Sequence, residues 1–421
     1  MKNRILIYGY HGMRNTGADS RLLAMRDVLA QIVPQAELIV PSFHPTNLRY
    51  VDGVTHVNIN PATYPWAAKK YIRAADVMIL SEGNMLTDEF SKHLMRAFTI
   101  AVEQAKTLSV PSVGLALDSG KLEPQHIAQV RGALNSMMLI TARSAGAKCS
   151  LEKMGVTVPI TETADCAVSM NLLPINERQV VRQKAGMAES KPIYGIAPVD
   201  FYMWPAVISL FGQKDEYVRW PFKGTWPDNG KEKNAKLVKD WATYANYLLT
   251  KDPNSKIALI AMEAVDERFC LKIREQLHEP ERSIIISSIR LTPKQISACL
   301  EGLTSLVTSR YHALVLSLPF AIPYIALGHD TRTRYISNEL GMDDYFVSYQ
   351  TLNLAEALIE KHNTLIENSC CVYSRIQQGF INLQRKDETN YKMLSELLRE
   401  IGYKTNPFPP REETLSKSFA N

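Results

Sequence analysis

The stretch Thr308-Ser309-Arg310-Tyr311-His312-Ala313-Leu314-Val315-Leu316-Ser317-Leu318-Pro319 sets an Arg and a His two residues apart where an apolar strand gives way to a helix. Leu303 to Val307 reads as a buried parallel strand, and Ala313 to Leu318 stays apolar at helical spacing. Both cationic side chains are therefore expected at the carboxyl edge of a sheet, where α/β proteins hold ligands. Free N–H groups at the helix start add partial positive charge there. An isolated Arg commonly pairs with a carboxylate and an isolated His commonly packs; two together at one strand end mark a candidate anion site.

Working outward, the chain alternates strand and helix patterns, the rhythm of βαβ units. The first series has strands at Arg4–Tyr10, Ala36–Val40, Val54–Ile59, Asp76–Leu80, Ser112–Leu117 and Met137–Thr141, with helices near Asp19–Ile32, Glu89–Thr107, Pro124–Leu134 and Ala145–Met154. A polar stretch, Asn171–Ser190, breaks the pattern. The second series has strands at Ile193–Ala197, Lys256–Ala261, Ser283–Ser287, Ser305–Thr308 and Pro323–Leu327. The expectation is α/β: two Rossmann-like, doubly wound domains, residues 1–175 and 191–360, facing each other across a cleft in a GT-B-like arrangement. C-terminal helices follow over 361–403, including a long one from about Ser374 to Ile401, and 404–421 reads as a disordered tail. The aromatic-rich insertion 200–230 has no clear period and reads as a loop or short helical insertion. Its Trp204 and Trp226 are candidates for stacking a sugar ring, with local packing as the competing reading.

Composition bounds the function class. The chain has 421 residues, 46% hydrophobic, and a formal net charge of +5, mildly basic and without dense Lys/Arg runs. This fits anionic substrates and transient approach to an anionic membrane surface but gives no case for nucleic acid. Cys149, Cys166, Cys270, Cys299, Cys370 and Cys371 show no metal or redox spacing and read as reduced, mostly buried thiols. With no signal-like N-terminus and no apolar run near the roughly 18 to 20 residues that span a bilayer, a cytoplasmic, at most peripheral, protein is expected. The dispersed His residues give no metal spacing, so no metal or cofactor is expected.

Three further strand ends carry polar residues. Gly9-Tyr10-His11-Gly12-Met13-Arg14-Asn15-Thr16-Gly17-Ala18-Asp19 follows the first strand and precedes a helix. It outlines a phosphate cradle, although its spacing is neither the dinucleotide fingerprint nor a P-loop. Glu82-Gly83-Asn84-Met85-Leu86-Thr87-Asp88 and Thr141-Ala142-Arg143-Ser144 follow two other strands. Strand ends of parallel sheets converge on one crevice, so Asn15, Asn84, Arg143, Arg310 and His312 are expected to share a site.

In this order the motifs resemble the polysaccharide pyruvyl transferase family over nearly the whole globular length. The family's Gly-x-x-Gly-x-x-Asn-x-Gly loop matches Gly9 to Gly17, and its Gly/Asn-rich strand end matches Glu82 to Asp88. Its Arg, Ser, Leu, Gly series matches Arg143, Ser150, Leu151 and Gly155, followed by Thr163-Ala164-Asp165. The most specific element matches Ser309-Arg310-Tyr311-His312-Ala313-Leu314, with Pro323 and His329-Asp330-Thr331-Arg332 downstream. Ala18, followed by Asp19, stands where an acid is usual; Glu82 stands where Gly is common; Arg332 replaces Lys.

The resemblance implies transfer of the pyruvyl unit of phosphoenolpyruvate to two hydroxyls of a sugar as a ketal, with release of phosphate. It implies Arg143 and Arg310 as donor-binding groups, supported by Asn15, Gly12, Gly17 and Arg332, and His312 as the acid/base group. Asn84, Asp88, Trp204 and Trp226 are candidate acceptor contacts, the acceptor being a sugar, sugar nucleotide or lipid-linked glycan. Two other readings stand beside it: a GT-B nucleotide-sugar glycosyltransferase, with Glu263 or Asp266 on the ribose, and a non-catalytic glycan-binding relative.

Overall fold

Apolar strands covered on both faces build two parallel sheets. The computed structural model describes residues 3–59, 64–81, 86–187, 191–208, 222–328 and 331–408. The first sheet holds β1 (Arg4–Tyr8), β2 (Glu37–Ser42), β3 (Thr55–Asn58), β4 (Val77–Leu80), β5 (Ser112–Leu117), β6 (Leu139–Ala142) and β7 (Ile160–Glu162) in the order β3-β2-β1-β4-β5-β6-β7. Helices α1 (Thr16–Ile32), α2 (Tyr64–Ala74), α3 (Lys92–Thr107), α4 (Pro124–Leu134) and α5 (Ala145–Lys153) alternate with them. The strand order reverses at β1, so the crevice expected at a switch point opens beyond its carboxyl end, where the Gly9–Asp19 loop lies.

The second sheet repeats the plan. After α6 (Ile175–Lys184) come β8 (Ile193–Ala197), the short strands β9 (Ala206–Ile208) and β10 (Phe222–Gly224), α7 (Gly230–Lys251), β11 (Lys256–Ala261), α8 (Asp266–Arg274) and β12 (Ser283–Ser287). Then follow α9 (Pro293–Leu300), β13 (Ser305–Thr308), α10 (Tyr311–Ser317), β14 (Tyr324–Gly328), α11 (Thr331–Glu339), β15 (Phe346–Ser348), α12 (Leu354–Glu367) and α13 (Ser369–Glu400). The order β12-β11-β8-β13-β14-β15 reverses at β8, and β13 beside it carries the Arg310–His312 corner. Two Rossmann-like domains facing each other, the arrangement expected from sequence, are what these residues form.

Several elements differ from the sequence reading. β7 and β15 are three residues long, too short to show a period. α2 is not among the helices expected from the sequence, and its Pro65 sits in the first helical turn, where its missing N–H costs nothing. The polar stretch 171–190 contains α6, held to the second domain by Arg178 and Arg182, which both pair with Glu301. In the insertion 200–230 the described residues include an antiparallel ribbon, β9 with β10, and residues 209–221 lie outside the described residues.

The long helix α13 returns from the second domain to the first. Buried Asn390 donates to Ala164 O at 2.9 Å and accepts from the Thr141 hydroxyl. Lys386 bridges Glu162 and Glu339, one from each domain. Residues 404–408, expected to be part of a disordered tail, instead lie on the first domain. Asn406 N–H donates to Ile32 O at 2.7 Å and Phe408 stacks on Tyr391, so the expected tail narrows to 409–421, outside the described residues. Cys149, Cys370 and Cys371 are exposed, so only Cys166, Cys270 and Cys299 fit the expectation of burial. Among the described residues no helix is long and apolar enough to cross a membrane. Replacing Asn390 by Leu strands the Thr141 hydroxyl and Ala164 carbonyl; a loss of about 1–3 kcal/mol in denaturant unfolding is expected.

Candidate functional site

The corner after β13 is shaped by its own backbone. The Thr308 hydroxyl accepts from Arg310 N–H and donates to Arg310 O, both at 2.9 Å, closing a turn that leaves Arg310 as the extended N-cap of α10. The next two side chains then cross to the first domain. Tyr311 lies over the Arg143 guanidinium, 4.5 Å from its ring centre. His312 sets Nε2 3.6 Å from Asp165 Oδ2, an ion-pair rather than hydrogen-bond distance.

Asp165, fully buried, is the hub of this contact. Arg21 Nη1 reaches it at 2.9 Å and Arg143 Nη1 at 3.3 Å. Arg143 also grips Asp118 through Nε at 2.9 Å and Nη2 at 2.5 Å. A register shift in β5 between Gly114 and Leu117, with Ala116 at φ 48°, accompanies carbonyls of Leu115 and Ala116 that both accept from Arg21. Burial alone would raise the Asp165 carboxyl, but Arg21, His312 and Arg143 outweigh it and hold it well below the ordinary range. Burial is also the largest influence on His312 and lowers it, although Asp165 pulls the other way. The imidazole is therefore neutral at pH 7.

Arg310 has its own acids. Its Nε donates to Asp266 Oδ2 at 2.8 Å, Nη2 also bonds Asp266, and Nη1 stands 3.3 Å from Glu263. Burial raises both carboxyls, and Arg310 only partly offsets it. The first-domain loop joins this group: Asn15 and Glu263 form an isolated antiparallel bridge, and Thr16 N–H donates to Met262 O at 2.8 Å. Gly17 then meets His312. A Cβ there would lie 2.1 Å from His312 Nδ1, so the approach of the two domains requires glycine.

Among the sequence candidates, Arg143, Arg310, His312, Asn15 and Gly17 thus come together as one chain of contacts, Arg143–Asp165–His312–Gly17 continuing through Asn15–Glu263–Arg310. Gly12, at φ +79°, serves the loop's own fold: a Cβ would lie 2.2 Å from Ser42 Oγ, and its N–H is engaged by Asp19 at 3.2 Å. Arg332 lies over the Phe90 ring at 5.5 Å, and Phe90 packs edge-on against Trp204 at 5.3 Å, so these candidates meet at the rim formed by the insertion. Trp226 packs against the second domain near Gly230. Asp88 caps α4, accepting from Glu123 N–H at 2.6 Å, and contacts His126 Nδ1 at 3.0 Å. Asn84, like His329 and Asp330, lies outside the described residues.

Sequence reasoning missed Arg21 and Asp118 and gave Asp165 no role. Asp118, directly after the apolar run of β5, carried the same strand-end signal as Arg143. Arg21 sits mid-helix and carried none. Ligating atoms of Asp88, Glu123 and His126 lie within 4.8 Å of one another, the one such group among the described residues, and Asp88 there already accepts from Glu123 N–H.

With this geometry in place, the comparisons with known proteins are informative. The family model for polysaccharide pyruvyl transferase matches residues 15–331. No curated protein matches the sequence. Among solved structures, the Anabaena protein Alr3699/HepE in complex with UDP-glucose is similar with TM-score 0.56 at 13% identity, covering 94% of this chain and 99% of its own. A putative UDP-N-acetylglucosamine 2-epimerase from Listeria monocytogenes is similar with TM-score 0.59 at 10% identity, covering 98% and 99%. The UDP-GlcNAc 2-epimerase from Neisseria meningitidis bound to UDP-GlcNAc gives 0.58 at 11%, covering 95% and 100%. At such identities these likenesses concern the fold alone.

Two outcomes follow from the electrostatics. Asp165→Asn removes the group that raises His312, so the imidazole should titrate still lower by NMR, while uncompensated Arg21 costs about 3–5 kcal/mol of stability. Asp19, buried beside Gly12 and Tyr50, is raised from 3.8 to about 7, mainly by burial. A raised carboxyl contributes stability that is fully present below the unfolded value and lost as pH climbs through 7. Asp19→Asn should therefore flatten the decline seen in wild-type denaturation between pH 4 and 8; parallel profiles would contradict this.

Proposed function

The chain belongs to the polysaccharide pyruvyl transferase family, and from that premise we propose that it transfers the pyruvyl unit of phosphoenolpyruvate to a sugar of a surface polysaccharide or its precursor. The product is a cyclic ketal and free phosphate. The observation that carries this reading is the cationic and imidazole chain joining Arg143, His312 and Arg310 across the two domains. Phosphoenolpyruvate bears a phosphate and a carboxylate, and bidentate guanidinium matches both ends. Arg143 and Arg310, one from each domain, are the donor-binding groups in this reading.

Both guanidiniums are already paired, so the donor must compete with carboxylates. Glu263 and Asp266, raised by burial, are the acids on Arg310 that can take up a proton as a new anion arrives. Donor binding is therefore expected to take up protons, visible as a calorimetric enthalpy that depends on the buffer; the same enthalpy in buffers of different ionisation heat would contradict it.

The lowered His312 suits a base. A neutral imidazole accepts the proton of the attacking sugar hydroxyl, and Asp165 then stabilises the imidazolium. Nε2 is shut off from solvent, which leaves Nδ1, beside Gly17, as the nitrogen for substrate. The donor methylene gains a proton, the sugar oxygen bonds the adjacent carbon, and the carbon–phosphate oxygen bond breaks with its electron pair leaving on phosphate. Addition of the second hydroxyl, with loss of its proton, closes the ketal. This chemistry calls for no redox step.

The acceptor is proposed to be a sugar nucleotide or lipid-linked glycan, handled in the cytoplasm, with Trp204 and Arg332 at the rim on its path. The glycosyltransferase alternative needs a carboxylate for ribose, and Glu263 and Asp266 are both engaged by Arg310. Phosphate release from phosphoenolpyruvate across a panel of such acceptors tests the reading directly. His312→Gln should bind donor and lose turnover by at least about a hundredfold. Near-normal turnover would remove His312 from the mechanism, and donor affinity unchanged in both Arg143→Ala and Arg310→Ala would refute the donor site.

A further inference from the structure

Consecutive residues of the Gly9–Asp19 loop serve two places. Asn15 and Gly17 meet Glu263 and His312, whereas Arg14 and Thr16 line a partly open cavity of about 50 Å3 between the domains. Its other walls include Tyr50 from the first domain and Ser288 and Arg290 from the second. That volume suits one small group rather than a whole ligand, since roughly 10–15 Å3 of it holds a single water.

Two features mark this cavity as built for a ligand. The Thr16 and Ser288 hydroxyls are 2% and 4% exposed by residue, and neither has a hydrogen-bond partner. Buried hydroxyls normally find one, so two orphans on residues that line one cavity need an explanation. Arg14 is the second feature. It holds φ 59°, a conformation that costs a non-glycine residue free energy, and its Nη1 donates to the carbonyls of Ile289 at 2.7 Å and Ser288 at 3.4 Å. Among the described residues no carboxylate lies within ion-pair distance of Arg14, in contrast to Arg143 and Arg310. Arg290, more than half exposed, is paired with Glu267 at the mouth.

We propose that this cavity binds the phosphoryl group of a diphosphate-linked sugar, the acceptor of the reaction proposed above. Fixed positive charge selects an anion. Donors arriving from several directions, the Arg14 guanidinium and the hydroxyls of Thr16 and Ser288, suit a tetrahedral phosphoryl group better than a planar carboxylate. Asp19, the one acid in the lining, has its oxygens turned to Gly12 N–H and the Tyr50 hydroxyl. Cα atoms two residues apart lie within about 7 Å of each other. A phosphoryl group held by Arg14 and Thr16 therefore lies close to Gly17, which meets His312, where the donor is proposed to lie. The inference rests on the pyruvyl transfer reading for the word acceptor, and on the cavity alone for the phosphoryl site.

The test is calorimetric titration of the full chain with UDP-glucose, with a short polyprenyl diphosphate-glucose and with phosphoenolpyruvate, in wild type, Arg14→Gln, Thr16→Val and Ser288→Ala. The hydroxyl variants lose no protein partner, so their thermal stability without ligand should match or exceed wild type. At least one diphosphate sugar should bind wild type, weaken roughly tenfold to a hundredfold in Arg14→Gln and by a smaller factor in the hydroxyl variants. Phosphoenolpyruvate affinity should change by less than about twofold. The arm that binds tells a nucleotide carrier from a lipid one. Absence of binding by both diphosphate sugars, or equal affinity in wild type and all three variants, overturns the site. Arg14-dependent diphosphate binding with no phosphoenolpyruvate binding supports the site and sinks the donor assignment instead.

Discussion

A carboxylate with no access to water must be surrounded by positive charge or give up its own, and Asp165 is surrounded. Arg21 comes from the helix after β1 and Arg143 from the strand end after β6, while the neutral His312 of the other domain sets its Nε2 against the same carboxylate. Replacing such a group with a neutral one leaves two guanidiniums short of a partner in a dry interior, which costs far more than the intact cluster contributes. The cluster therefore specifies an arrangement more than it adds stability. It also meets the second domain, since the α10 corner brings His312 beside Asp165 where Gly17 leaves room for the imidazole.

The same closure explains why charge is so evenly balanced in the cleft. Arg143 faces Asp118 and Asp165, and Arg310 faces Glu263 and Asp266, so each cation carries two acids. A site meant for a polyanionic donor needs that balance to shift on binding. Carboxyls already raised by burial provide the means, because they take up a proton more readily than exposed acids do. Arg14 stands apart, free of acids within ion-pair reach among the described residues, and its neighbouring hydroxyls have no protein partner. One loop after β1 thus presents two chemically different faces.

Much of this was legible in the residues. Apolar runs ending in Arg143-Ser144 or Ser309-Arg310 show where parallel strands stop, and the Gly9–Gly17 loop announces a turn before a helix. Both sheets and the convergence of their carboxyl ends follow from those patterns. What escaped were features set by tertiary packing. Arg21 looks like any surface helix arginine until the shifted register of β5 presents two carbonyls to it. Gly12 reads as a phosphate-cradle glycine, whereas Ser42 and His44 O crowd its Cα and dictate the residue. The sign of the cleft was half legible, since cations stand in motifs while the acids that neutralise them come from scattered strand ends and helix starts.

The central claim is that guanidiniums from both domains act on one donor through a shared, closed arrangement. A double-mutant cycle for phosphoenolpyruvate binding, built from Arg143→Lys, Arg310→Lys and the double variant, measures this directly. Charge is kept in each variant and only the bidentate geometry is lost. The account predicts strong non-additivity, a coupling of about 1 kcal/mol or more. Losses that simply add, as for two distant and independent sites, would contradict it.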